Sequence, residues 1–167
     1  MGLLERYDDL LDRLTAELRA HYGERLGACA VFGSVGRGTP RSGSDVDLLI
    51  VVRNLPRGRL NRVNEFLPVE AHLAPILSGG SNGGTPQDAV VLSPIFKTPA
   101  EVEAGSPLFL DMVEDARILH DPNAFLTGHL ARLRARLRAL GARRVWRDNA
   151  WYWDLKPDYR PGDVFEL

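Results

Sequence analysis

Two aspartates separated by one residue, Asp45 and Asp47, stand at the head of the most apolar run of the sequence, residues 46–52. Such a run predicts a strand that is buried on both faces. Residues two apart on a strand point to the same face, so the two carboxylates are expected side by side. Adjacent carboxylates repel each other unless a cation lies between them, and Mg²⁺ prefers oxygen ligands of this kind. The pair therefore predicts a magnesium site.

A glycine turn precedes this pair. Gly33 and Ser34 follow a short apolar run, residues 28–32, that predicts another buried strand. Glycine lets the backbone approach a bulky anion, and the first amides of a following helix attract that anion. Ser34 adds a hydroxyl donor, and Arg37 adds charge-assisted hydrogen bonds unless it is held in an ion pair. We interpret the turn as a cradle for phosphates, which we expect to converge with the carboxylate pair on one triphosphate.

The spacing of these residues carries a family resemblance. The segment GSVGRGTPRSGSDVDL, residues 33–48, resembles the signature of the minimal nucleotidyltransferases of the DNA polymerase β superfamily. The positions that match the signature are Gly33, Ser34, Arg37, Gly38, Ser44, Asp45, Asp47 and Leu48. The similarity in the order of strands and helices covers roughly residues 25–120. It implies an α/β (α+β) nucleotidyltransferase fold, in which helices flank a small mixed sheet.

The same resemblance implies an activity. A hydroxyl acceptor would attack the α-phosphate of a nucleoside triphosphate, most often ATP, so that AMP is transferred and pyrophosphate leaves. Asp45 and Asp47 would be the catalytic residues and would hold two Mg²⁺ ions. The implied nucleotide-binding residues are Gly33, Ser34, Arg37 and Ser44, although Ser44 also reads as a simple turn residue. Small members of the family act beside a separate helical partner protein, which is a further expected partner besides the unidentified acceptor.

The family pattern is incomplete at one position. Members usually carry a third carboxylate on the next core strand, where it completes the metal site and takes the proton of the acceptor. The corresponding run here, residues 89–96, contains no acid. Ser93 stands at the expected place, and Asp88 and Glu70 are the nearest alternatives, although Glu70 falls in a predicted helix. The alternative interpretation is therefore a catalytically degenerate module that binds a nucleotide or, like an antitoxin, a partner protein.

Periodicity and turn residues predict the elements around this segment. Helices are predicted at residues 3–22, 57–77, 107–118 and 125–140, with a further one beginning near Thr98 and Pro99. The strand over residues 89–96 is expected at an edge because of Pro94. A loop is predicted over residues 78–86, a hairpin over 145–155 with its turn at Asp148-Asn149, and an irregular tail from Pro157. We divide the chain into a nucleotidyltransferase core, residues 1–120, and a C-terminal helix, aromatic hairpin and tail packed on that core, residues 121–167.

The C-terminal part contains two groups with more than one interpretation. Seven arginines fall in residues 132–147: Arg132, Arg134, Arg136, Arg138, Arg143, Arg144 and Arg147. A solvated helix face is the favoured interpretation, and binding of RNA or of the triphosphate is the alternative. An aromatic group follows: Trp146, Trp151, Tyr152 and Trp153. Packing over the final helix is favoured there, and stacking against bases is the alternative.

Composition limits the classes of protein. The chain has 167 residues, a formal net charge of −1 and one cysteine, Cys29, so nucleic acid is not the favoured partner and no disulfide within the chain is expected. The four histidines show no spacing typical of metal ligands. The N-terminal residues lack an apolar signal segment, and no stretch is apolar enough to cross a bilayer. These features predict a cytoplasmic protein without a membrane partner.

Overall fold

The computed structural model describes residues 2–78, 89–148 and 150–167. The strands are β1 (Leu26–Phe32), β2 (Val46–Val52), β3 (Leu92–Lys97), β4 (Arg117–His120), β5 (Arg143–Arg147) and β6 (Ala150–Asp154). The helices are α1 (Leu3–Tyr22), α2 (Gly33–Gly36), α3 (Arg59–Leu77), α4 (Pro99–Glu103), α5 (Leu108–Asp115) and α6 (Phe125–Ala139). This combination confirms the predicted mixed α/β architecture.

The four strands β1–β4 form one mixed sheet in the order β3-β2-β1-β4. β1 runs antiparallel to β2 and β4, whereas β2 and β3 are parallel. Parallel neighbours need a crossover connection, and α3 lies in that connection. β2 is central and its apolar side chains are buried on both faces, as its sequence predicts. β3 is an edge strand, which confirms the expectation from Pro94.

A hydrophobic core lies on each face of the sheet. On one face, α1 and α3 pack against β1 and β2 through residues such as Leu14, Phe66 and Ile50. On the other face, α5 and α6 pack through residues such as Phe109 and Leu126. The C-terminal helix therefore shares a core with the sheet, and the boundary at residue 120 stays a prediction.

The paired strands β5 and β6 form the predicted C-terminal hairpin. Its side chains alternate between two faces, so that Arg144, Trp146, Trp151 and Trp153 share one of them. Trp153 packs against the second core together with leucines of α6, whereas Trp146 and Tyr152 are exposed, so the packing expected of the aromatic group does not extend to those two. The hairpin also contacts α5, because the indole N–H groups of Trp151 and Trp153 donate to Asp111 Oδ1 at 2.8 and 3.0 Å.

The helix predicted over residues 107–118 is wrong at its end. α5 ends at Asp115, Ala116 is extended, and Arg117–His120 forms β4. The reason is tertiary, because the free edge of β1 offers hydrogen-bond groups that a short strand can satisfy. The helix predicted over residues 57–77 begins at Arg59 and contains Pro68 and Pro75, both on its exposed side.

Three further expectations concern the cysteine, the loop after α3 and membrane-spanning helices. Cys29 is fully buried in β1, where burial raises the pKa of its thiol to about 12, which fits an unreactive core residue. The loop predicted over residues 78–86 lies outside the described residues except for Ser78. Of the helices in the described ranges, none combines the length and the apolar character that crossing a membrane requires.

Candidate nucleotide and metal site

The glycine turn and the aspartate pair meet at one end of the β1–β2 ladder. Phe32, the last residue of β1, is the Cα partner of Asp47 in β2. Gly33 follows with φ +66°, in the left-handed region that favours glycine. A Cβ atom on Gly33 would lie 2.4 Å from Asp47 Oδ2. The carboxylate of Asp47 therefore lies directly against the turn, at a distance that only glycine permits.

The turn continues into α2, which is a single helical turn. Ser34 is its second residue and is partly exposed, and its carbonyl accepts the N–H of Thr39 at 2.9 Å. A Cβ atom on Gly36 would lie 2.4 Å from the carbonyl oxygen of Asp115 at the end of α5. The close approach of α5 thus requires a small residue at the base of the turn.

The two aspartates differ in exposure. Asp45 precedes β2 and is exposed, whereas Asp47 is half-buried. Burial is the main cause that raises the pKa of Asp47 above its ordinary value; the nearby charge of Asp45 raises it further and that of Arg37 lowers it. Within the described part of the chain no ion pair joins Asp45 or Asp47 to a basic side chain. Among the described residues the pair therefore has no ion-pair partner, and the charge of Arg37 offsets its negative charge only in part.

Tyr7 of α1 fixes the segment that leads into the pair. Its hydroxyl donates to the carbonyl oxygen of Ser44 at 2.9 Å. The side-chain oxygen of Ser44 accepts the backbone N–H of Arg41 at 2.8 Å, so Ser44 closes a turn. Sequence reasoning missed Tyr7, although its position in the apolar stripe of α1 is a usable signal, since a buried tyrosine needs a partner for its hydroxyl.

Arg37 lies in an ion pair, the alternative considered above. Its Nη1 atom donates to Asp115 Oδ2 at 2.7 Å, and the side chain of Asp115 is only 2% exposed. Arg144 of the hairpin donates to the other oxygen, Asp115 Oδ1, at 3.0 Å. Both guanidinium groups lie 5.2 Å from the ring of Trp151. Asp115 was not predicted, and Arg144 and Trp151 were named only within the arginine and aromatic groups, because nothing in the local sequence links any of the three to Arg37.

Two of the three candidates for the position of the third carboxylate lie in the described part of the chain. Ser93 is the Cα partner of Asp47 on the parallel strand β3, which is the position expected from sequence. Glu70 lies in α3, as predicted, and Asp88 lies outside the described residues. Among the residues that the structure describes, no group of three or more acidic, histidine or cysteine side chains is arranged to hold a metal ion. The described site thus has two carboxylates and a serine.

The arginine-rich segment, residues 132–147, includes the arginines of α6 and of β5. The arginines of α6 are exposed, which agrees with the favoured solvated helix face; binding of RNA or of the triphosphate by them stays a prediction. Arg134 also donates to the carbonyl of Val113. Arg144 is the exception within the arginine-rich segment, since its side chain is 17% exposed and pairs with Asp115.

Comparison with known proteins agrees with the resemblance seen in the sequence. A family profile described as a nucleotidyltransferase domain matches residues 11–120. A putative protein adenylyltransferase of Methanocaldococcus jannaschii is 28% identical over 129 residues, which cover 76% of this chain and 80% of that protein.

Two solved structures similar to this chain are of toxin–antitoxin proteins. A toxin–antitoxin with AMP-PNP has 16% identity and a TM-score of 0.45, covering 77% of this chain and 93% of that chain. A tri-AMPylated Shewanella oneidensis HEPN toxin in complex with MNT antitoxin has 14% identity and a TM-score of 0.41, covering 78% of this chain and 92% of that chain.

The family profile spans well over half of the sequence and includes both the glycine turn and the aspartate pair. The chain therefore belongs to the nucleotidyltransferase domain family and is an enzyme of the nucleotidyltransferase type.

Proposed function

We propose that the protein transfers AMP from ATP to a hydroxyl group of a protein acceptor and releases pyrophosphate. The observation that carries this proposal is the close approach of Asp47 to Gly33, which brings the glycine turn and the carboxylate pair to one place. The choice of adenylate and of a protein acceptor is supported by the relative named as a putative protein adenylyltransferase.

Asp45 and Asp47 are the residues proposed to hold magnesium. Their fit to a cation rests on the chemistry of the pair, which consists of two oxygen donors of like charge without a basic partner in the described chain. When bound together with ATP, Mg²⁺ would neutralise the phosphates and polarise the α-phosphate for attack. The presence of two ions stays a prediction, since the described residues place no third acid beside the pair.

The remaining residues of the turn are proposed to bind and orient the triphosphate. The carboxylate of Asp47 lies against the backbone at Gly33, and Ser34 is the next residue of the turn, so we propose that its hydroxyl donates to a phosphate bound there. Arg37 would contribute positive charge from the same turn. In the reaction, the acceptor oxygen forms a bond to the α-phosphorus, the bond to the β-phosphate oxygen breaks, and pyrophosphate leaves with that electron pair.

Ser93 favours a second candidate function, a nucleotide-binding module with little or no turnover. It occupies the strand position beside Asp47, where a carboxylate would accept the proton of the acceptor hydroxyl. A serine hydroxyl is a poor base at neutral pH. The two candidates share nucleotide binding and differ only in transfer.

Both candidates can be tested by measuring binding and transfer separately. Calorimetric titration with ATP and the other nucleoside triphosphates, with and without Mg²⁺, measures binding. Incubation with ATP labelled in the α-phosphate, in the presence of candidate acceptor proteins, measures transfer. Asp47→Asn should remove Mg²⁺-dependent binding, while Asp12→Asn, an exposed aspartate of α1, should leave it unchanged and serves as the control.

The outcomes distinguish the transferase from the nucleotide-binding module. Binding with label on a protein supports the proposed transferase, and binding without label on any acceptor supports the degenerate module. Transfer that survives in Asp47→Asn would exclude the proposed role of the aspartate pair.

A further inference from the structure

Asp115 joins the glycine turn to the C-terminal hairpin. One of its oxygens accepts from Arg37, the residue that directly follows α2, and the other accepts from Arg144 in β5. The carboxylate is almost fully buried, whereas the side chains of Arg37 and Arg144 are 27% and 17% exposed. A buried charge with two hydrogen-bonded partners is rigidly held, so the two guanidinium groups have fixed positions relative to each other.

The charges of this cluster do not cancel. Within the ion-pair group of Arg37, Arg144 and Asp115, two arginines and one aspartate leave one net positive charge, while the carboxylate of Asp111 lies beyond this group at the indole N–H of Trp151. With Arg37 alone, Asp115 would neutralise the arginine of the turn, and a nearby phosphate would experience little attraction. Arg144 restores the positive charge, and the low polarity around a buried carboxylate lets that charge act over a longer distance than it would in water.

Trp151 fixes the orientation of both arginines. Its ring lies 5.2 Å from each guanidinium carbon, and its indole N–H is held by Asp111 of α5 at 2.8 Å. Arg37 uses only Nη1 in its hydrogen bond to Asp115, so its other donors are not consumed by that contact. The hairpin thus holds the arginine of the turn in place without occupying all of its donors.

We infer that Asp115, Arg144 and Trp151 are positioning residues for Arg37, and that through them the C-terminal hairpin is part of the triphosphate site. This inference rests on the proposed nucleotide binding by the glycine turn. It assigns the hairpin a role in binding polyphosphate, with Arg144 supplying the net positive charge.

Substitutions of neighbouring arginines test the role of charge. Arg144→Met should weaken binding of Mg-ATP about tenfold, because a charge near the phosphates is lost. Arg144→Lys, which keeps the charge, should recover most of the affinity. Arg143→Met is the matched control, since Arg143 lies on the opposite face of the same strand and pairs with Asp154 at 3.3 Å. The difference between Arg144→Met and wild type should shrink as the salt concentration rises.

A second measurement uses the unmodified protein. All three tryptophans of the sequence, Trp146, Trp151 and Trp153, lie on the hairpin. Tryptophan emission therefore reports on this element alone. Titration of the wild-type protein with Mg-ATP should change the emission with the same midpoint that calorimetry gives for binding. This measurement does not depend on whether Arg144→Met folds.

The results distinguish this inference from the proposed function. If wild type and Arg143→Met both fail to bind Mg-ATP, the proposed function and the inference fall together. If both bind, but Arg144→Met binds equally well at low salt or the tryptophan emission stays constant through the titration, the inference alone is overturned.

Discussion

Two carboxylate groups beside the glycine turn differ in how their charge is compensated. Asp115 is nearly inaccessible to solvent but has an arginine on each oxygen. Asp47 is only half-buried, yet its nearest charged neighbour in sequence is another acid, Asp45, and burial raises its pKa. Depth of burial therefore does not distinguish the two groups. Within the described chain Asp47 is the one of the two without an ion-pair partner, which is why we propose that it binds a cation from outside the chain.

The largest effect is expected from removing the compensated carboxylate. Asp115→Ala should lower the free energy of unfolding by about 3 kcal/mol, because two fixed arginines lose their partner in a low-polarity environment. Asp45→Ala, at an exposed position, should change it by no more than about 0.5 kcal/mol. Chemical denaturation of the three proteins measures the difference, and equal stabilities would remove the contrast between the two groups.

The next effect concerns the glycine beside the uncompensated carboxylate. Gly33→Ala introduces a Cβ atom 2.4 Å from Asp47 Oδ2, so Mg-ATP binding should weaken about thirtyfold, or about 2 kcal/mol. Gly141→Ala is a matched control, because Gly141 has φ +67° and a Cβ atom there would have no other atom within 4 Å. Both variants should lose about 1 kcal/mol of stability from the backbone conformation. Calorimetry should show normal affinity for Mg-ATP only in the control. Normal affinity in both variants would show that Gly33 is not part of the nucleotide site.

A smaller effect is expected from adding a third carboxylate beside Asp45 and Asp47. Ser93→Asp places an acid beside Asp47 on the neighbouring strand and should raise the rate of AMP transfer about tenfold, since it offers a base for the acceptor proton. Ile95→Asp, two residues further along the same strand and 38% exposed, is the positional control. Label incorporation per hour is the measurement. A rate that is unchanged or lower in Ser93→Asp would show that proton transfer does not limit the reaction.

The smallest effect is the pH dependence of stability. Because the pKa of Asp47 is raised in the folded state, the folded protein binds this proton more tightly than the unfolded chain does. Asp47 therefore lowers stability above its folded pKa, and this loss disappears as the pH falls towards the ordinary value. Asp47→Asn should be more stable than wild type at pH 7 but not in acid.

A carboxylate with the opposite shift provides the control for that experiment. Hydrogen bonds from Arg62 lower the pKa of Glu101 to about 2, so Glu101 stabilises the fold above the ordinary carboxyl pKa and loses this effect as the pH falls through its folded pKa. Glu101→Gln should thus be less stable than wild type at pH 7. Thermal unfolding of both variants across the acid range checks the two signs, and parallel curves would contradict them.

Sequence reasoning predicted the residues that lie close together in the chain or on neighbouring strands, and it missed the contact of Arg37 with Asp115. Asp47, Gly33 and the strand position of Ser93 follow from short spacing, apolar runs and strand order, which are local or topological signals. The partner of Arg37 is 78 residues away, and only packing of α5 against Gly36 brings it near. No periodicity encodes such a contact.

The fold shows the same division between local and tertiary causes. α1, α6 and β2 have long periodic or apolar patterns, and the predictions for them are confirmed. β4 is four residues long and is stabilised by the edge of β1, so its sequence alone resembled the end of a helix.

The antiparallel pairing of β1 with β2 has a consequence for folding. Gly33 and Asp47 lie in one contiguous hairpin-like segment, and their contact closes a short loop. The contacts of Asp115 need the crossover through α3 and the C-terminal hairpin, so they have a much higher sequence separation. We expect the contact of Gly33 with Asp47 to form early, and the contacts of Arg37 and Arg144 with Asp115 to form late in the folding reaction.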